Sequence, residues 1–143
     1  MDVIHALASV ALGLYAGSLL TEAALLVPYW RTLSSEEFFM RHGDFGPRLY
    51  RYFFPMTNAA VWLAVLSAAL DGFSDGHRNA AALLCMAALG TYFMYFQKAN
   101  ASFADHSLAE SALPAELARW SAWHWARTAA SLLAFVLSVL AFL

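Results

Sequence analysis

The sequence predicts an all-α integral membrane protein, a bundle of four transmembrane helices, and three observations carry that prediction. Hydrophobic residues make up 62% of the 143 and charged residues only 13%, against about 45–50% and about 25% in soluble domains. The apolar residues gather into four runs, at 3–27, 50–70, 79–97 and 120–143, and a helix needs about 20 such residues to cross a bilayer. The net charge is −2, which gives no basic face for a nucleic acid. Together these exclude a soluble globular enzyme, a disordered tail and a nucleic-acid binder. The single cysteine, Cys85, excludes an intramolecular disulfide.

Each element follows in order. The first run starts behind Asp2, lacks a basic n-region and is too long for a cleaved signal, so it reads as a span. Gly13-x-x-x-Gly17 within it suits close helix packing, inside one protomer or between copies, which allows a homo-oligomer. In the connection 28–49, Ser34-x-x-Glu37 fits a capping box ahead of Phe38, Phe39 and Met40, so a short interfacial helix is expected there. Gly43 with Asp44 and Gly46 with Pro47 read as turns. The second span, 50–70, carries Pro55, which frees a carbonyl one turn back. The connection 98–119 holds a second capping-box pattern, Ser107-x-x-Glu110, and Pro114 suits the first turn of an extended fourth helix.

The cations set an orientation. Arg31, Arg41 and Arg48 lie in the first long connection, Arg51 just beyond it, and Lys98 and Arg119 in the second, whereas the short link 71–78 offers only Arg78 against Asp71 and Asp75. The positive-inside rule then places both long connections in the cytoplasm and both termini outside, as expected in a bacterial inner membrane. The chain reads as a single transmembrane domain, 1–143.

Ionisable side chains inside spans are costly and mark sites or pathways. Counted from the long-connection side at 1.5 Å per residue, Glu22 lies ~7 Å deep, Asn58 ~12 Å, Thr91 ~9 Å, His124 ~6 Å and Arg127 ~10 Å. Four helices therefore bring polar groups to one level. The opposite half offers His5, Ser9, Ser67 and Ser138, and His5 reads as touching only water at the outer surface. Trp120, Trp123, His124 and Arg127 share one helical face, as do Tyr15, Ser18 and Glu22, and Arg51, Pro55, Asn58 and Trp62. The expected site is a pocket toward the cytoplasmic side with an aromatic wall and a floor of Glu22, His124, Arg127 and Asn58. The alternatives are that Glu22 and Arg127 form a structural ion pair and that His124 is a core histidine bonded to a carbonyl.

A metal would need ligands from several segments. His42, His106 and His124 are the candidates, with Asp44 and Asp105 nearby in sequence, but no helical His/His or Glu-x-x-His spacing is present. A haem between His5 and His124 is disfavoured because the two sit at opposite ends of their spans. The cofactor is therefore open: none beyond O2, a redox metal, or haem.

Residues 13–33 (GLYAGSLLTEAALLVPYWRTL), 36–55 (EEFF…GPRLYRYFFP) and 120–128 (WSAWHWART) resemble a family of small four-span membrane proteins whose named members are anthrone oxygenases of aromatic polyketide pathways. The resemblance runs over nearly the whole chain through span number, connection lengths and these local patterns. It implies a four-helix bundle and a monooxygenase in which a base deprotonates an electron-rich aromatic and the carbanion reacts with O2. Glu22, Trp120, His124 and Arg127 are the positions that match, with Gly13 and Gly17 as the small-residue entry. In such an enzyme Glu22 or His124 would be the base and Arg127 the oxyanion partner. Tyr15, Trp120 and Trp123 would form the slot, and Asn58 would orient a carbonyl.

The expected function is thus an oxidoreductase acting on a hydrophobic aromatic or quinone-like molecule drawn from the lipid bilayer. Two alternatives stand beside it: a redox-metal or haem protein using His124, and a non-enzymatic subunit that binds or transports a small molecule or protons.

Overall fold

The computed structural model describes residues 2–143 and forms four long helices. They are α1 (Asp2–Trp30), α2 (Ser35–Leu70), α3 (Gly76–Ala104) and α4 (Leu113–Leu140), the last preceded by a 3-10 turn at Glu110–Ala112. All four are long and apolar enough to cross a membrane, and the chain is an integral membrane four-helix bundle. Each helix packs on its neighbours in sequence and α4 closes the ring against α1. The start of α1, the α2–α3 link and the C-terminus share one end, here the terminal end. The α1–α2 and α3–α4 links share the other, arginine-rich end.

The helices are longer than the apolar runs. Ser34 caps α2 through the expected capping box, its hydroxyl accepting from the Glu37 N–H while the Glu37 carboxylate accepts from the Ser34 N–H at 3.1 Å. From that cap the helix runs unbroken through Gly43, Gly46, Pro47 and Pro55 to Leu70. The turns expected near residues 43–47 are therefore absent. The second capping-box pattern is also not realised: the Ser107 N–H donates to Asp105 Oδ1 at 2.9 Å. Pro114 does sit in the first turn of α4.

The core has two halves of different grain. Toward the terminal end, Leu12, Tyr15, Leu19 and Val61 pack among small residues such as Ala60, Ala64, Ala81, Cys85 and Ala134. Small side chains let helices approach closely where lipid supplies no hydrophobic drive between them. Gly13 serves the α1–α4 contact, since a Cβ there would meet the Phe135 ring at 2.9 Å, whereas Gly17 faces open space. Toward the arginine-rich end, Trp30, Phe38, Phe96, Phe103 and Trp120 fill the interior edge to face.

Two helices carry π-turns where these halves meet, at Glu22–Leu26 in α1 and Tyr92–Phe96 in α3. In the first, the Val27 N–H donates to the Glu22 carbonyl five residues back. Pro28 follows at once; its ring would press on the Ala24 carbonyl in a regular α-helix, and a widened turn relieves that contact. Single π-turns within α-helices are rare and concentrate at functional sites.

Candidate functional site

Glu22 opens the α1 π-turn, and Phe96 closes the α3 π-turn. Between them α4 presents His124 and Arg127 on its inward face, so three helices meet around the Arg127 guanidinium. His124 is fully buried, and Glu22 is 6% exposed.

The hydrogen bonds define the histidine. Arg127 Nε lies 3.0 Å and a terminal nitrogen 2.7 Å from His124 Nδ1. Arginine only donates, so Nδ1 must be the acceptor and the imidazole is neutral with its hydrogen on Nε2. That N–H donates to the Leu19 carbonyl at 3.0 Å and points toward Glu22 Oε2 at 3.7 Å. Both ring nitrogens are thereby engaged. Trp120 stacks on the imidazole at 5.0 Å between centroids, while its indole N–H donates to Asn100 at 2.9 Å. The Arg127 guanidinium lies 4.0 Å over the Phe96 ring, a cation–π contact that helps a desolvated charge.

Glu22 is treated differently. Its Oε2 lies 3.5 Å from Arg127 and 3.7 Å from His124. Both separations exceed hydrogen-bond length, and this buried oxygen has no hydrogen-bond partner. An unpaired buried acceptor costs about 1–3 kcal/mol. The same side chain lines a cavity of about 420 Å³ between α1 and α2, within the range of small-molecule sites. Ser18, Thr21, Leu25, Leu26 and Tyr29 form its α1 wall, and Leu49, Tyr52 and Phe53 its α2 wall. Leu25 is 69% exposed and Tyr52 55% exposed, so the groove opens sideways on the lipid-facing surface.

The structure brings Glu22, His124, Arg127 and Trp120 together. Tyr15 is buried among Leu12, Leu19 and Ala64 on the adjoining stretch of α1, and it does not line the groove. Trp123 stacks on Tyr95 at 5.4 Å, also away from the groove. Asn58 is elsewhere: its amide donates to the Phe54 carbonyl at 2.8 Å and it accepts from the exposed Trp62 indole. Thr91 bonds back to the Ala88 carbonyl. The aromatic wall expected from Tyr15, Trp120 and Trp123 is supplied instead by Tyr29, Tyr52 and Phe53. Leu49, Tyr52 and Phe53 sit at i, i+3 and i+4, a helical face that could have been found had α2 been read for aromatic spacing rather than for polarity.

The metal candidates stay apart. His42 packs among Trp30, Phe38 and Phe103, with its Nδ1 unpartnered. His106 stacks on Phe39. Ring contacts link His42 to His124 only through Trp30 and then Trp120. Among the described residues no three His, Cys, Asp or Glu side chains gather as a metal site, and His124 has no free nitrogen to offer a metal or haem. Compared with family models, curated proteins and solved structures, the chain matches none.

Proposed function

We propose that the chain is a membrane-embedded oxidoreductase, an oxygenase, acting on a hydrophobic aromatic or quinone-like molecule that enters the α1–α2 groove from the bilayer, near the cytoplasmic face. One observation carries this reading: a buried carboxylate with an unpartnered oxygen lines a lipid-facing cavity of substrate size.

Glu22 is the base in this reading, because His124 has its acceptor nitrogen occupied by Arg127. Glu22 takes a proton from the activated ring methylene of the bound aromatic, and the resulting carbanion passes its electrons to O2. The net change converts the methylene and O2 into a carbonyl and water, with O2 as the oxidant. Arg127 lies close enough to offset the charge that develops, and His124, bonded to the Leu19 carbonyl and accepting from Arg127, positions that guanidinium. The likeness to anthrone oxygenases supports this choice of chemistry.

Glu22→Gln keeps the shape and removes the base, and positioned general bases contribute about 100-fold or more. O2 uptake with a hydroxylated anthrone, measured in lipid nanodiscs against empty discs, should fall by about that factor while the melting temperature holds. A Glu22→Gln protein turning over at the wild-type rate would overturn the proposal.

A further inference from the structure

The groove has a second polar anchor. The Ser18 hydroxyl donates to the Leu14 carbonyl at 2.8 Å, and its oxygen lies 2.9 Å from the Tyr52 hydroxyl. A serine has one hydrogen. With that hydrogen on the Leu14 carbonyl, or on Met56 Sδ at 3.7 Å, Tyr52 is the donor in the Ser18–Tyr52 bond. Thr21 is likewise spent on the Gly17 carbonyl at 2.9 Å, and the Tyr29 hydroxyl belongs to the stretch of α1 beyond Glu22, toward the arginine-rich end. On the Ser18 side of Glu22 the groove therefore presents one unpartnered acceptor, the Glu22 carboxylate, and one donor held by a replaceable partner, the Tyr52 hydroxyl.

The two are separated along the bundle. Ser18, which marks the level of the Tyr52 hydroxyl, precedes Glu22 by four residues, or about 6 Å of helix rise. Tyr52 is 55% exposed, at the mouth, whereas Glu22 is 6% exposed, at the floor. Between them the α1 wall offers no free polar group, since Thr21 bonds back to its own helix.

We infer that Tyr52 is a ligand-binding residue that exchanges Ser18 for an acceptor on the ligand, so that the groove selects a lipophile with a hydroxyl at its inner end and a carbonyl about 6 Å away at its outer end. The inner hydroxyl donates to Glu22, and the outer carbonyl accepts from Tyr52. Moving the Tyr52 hydrogen from Ser18 to the ligand keeps the number of hydrogen bonds constant, so the exchange costs little. A molecule lacking the inner donor leaves Glu22 unpaired, which the groove penalises. The inference rests on the proposed function only in taking the groove as the binding site; it requires no turnover.

The test uses three probes of nearly equal shape, 4-hydroxybenzophenone, 4-methoxybenzophenone and 4-benzylphenol, with binding measured by depletion onto protein-loaded against empty nanodiscs. Wild-type protein should favour the first over 4-methoxybenzophenone by about tenfold, the loss of a bond to a charged acceptor. It should favour the first over 4-benzylphenol by about fivefold, the loss of a neutral bond. Tyr52→Phe should abolish the second preference and keep the first. The half-exposed ring tolerates that change, and Ser18→Ala, which releases Tyr52 from its present partner, should strengthen the carbonyl preference. Retention of the full carbonyl preference in Tyr52→Phe overturns the role of Tyr52 while leaving the groove reading intact. No probe binding above empty discs overturns both.

Discussion

At the terminal end of the bundle, His5, Ser67, Asp71 and Arg78 draw all four helices into one polar knot. His5 Nδ1 meets the Ser67 hydroxyl at 2.7 Å and its Nε2 lies 3.4 Å from Asp71. Arg78 bonds Asp71 at 2.6 Å and the Ala141 carbonyl at 3.2 Å. At the arginine-rich end, Glu22, His124 and Arg127 use the same residue types and leave the carboxylate unbonded. The first cluster surrounds a void of about 10 Å³, and the second borders a cavity of about 420 Å³. A void of the first size holds one water at most. Closed bonds with no room describe a clasp, whereas an open acceptor beside a large cavity describes a site. Depth and composition do not separate the two clusters; satisfaction and space do.

The sharpest way to break that comparison is to remove the cation at the terminal end. Arg78→Met leaves Asp71 partly buried without its partner, and breaking such a pair costs about 3 kcal/mol. Thermal or denaturant unfolding in detergent should show that loss, while probe binding in the groove stays at the wild-type level. An Arg78→Met protein as stable as wild type, or one with impaired binding, would remove the distinction between clasp and site.

Much of this was legible in the sequence, and the parts that were not have physical reasons. Four apolar runs and one polar level follow from counting along straight rods, so Glu22, His124 and Arg127 were found together. His5 was read as touching only water because its partners, Ser67 and Asp71, are more than 60 residues away, and nothing local signals them. The helix across residues 43–47 was hidden by Gly and Pro, whose turn propensity yields here to the helix-long packing of α2. The π-turns leave almost no pattern; Pro28 is the one local cue, and it marks only the first. The groove wall carries no polar signal: Leu49, Tyr52 and Phe53 lie off the face of Asn58, which α2 turns toward the exposed Trp62.

A smaller effect tests whether the clasp is cooperative. Ser67 is the hydroxyl that meets His5, where Ser18, Thr21 and Thr128 bond back to their own helix. Ser67→Ala removes one neutral bond and leaves a histidine nitrogen without that partner, a cost of about 1–2 kcal/mol. Combining it with Arg78→Met should give less than the sum of the two, since His5 and Arg78 share Asp71. Strict additivity would mean that the four groups stabilise the end independently.

The smallest effect lies at the edge of the clasp. Asp75 caps α3, accepting from the Arg78 N–H at 2.8 Å, and its carboxylate lies 3.4 Å from the Arg78 guanidinium. The backbone hydrogen bond foremost, and the Arg78 charge after it, hold the Asp75 carboxyl below its ordinary range. A carboxyl with a depressed folded-state pKa contributes stability that is present above its unfolded pKa and is lost as the pH falls through the folded one. The melting temperature should therefore drop on acidification past the ordinary aspartate range of about 3.9. Asp75→Ala should cost about 1 kcal/mol near neutrality, as a lost helix cap does, and should flatten that acid limb. Asp75→Asn, which still caps but does not titrate, should retain most of the stability and also flatten the limb. Groove binding should follow neither change, because the acid-sensitive cap belongs to the closed end of the bundle.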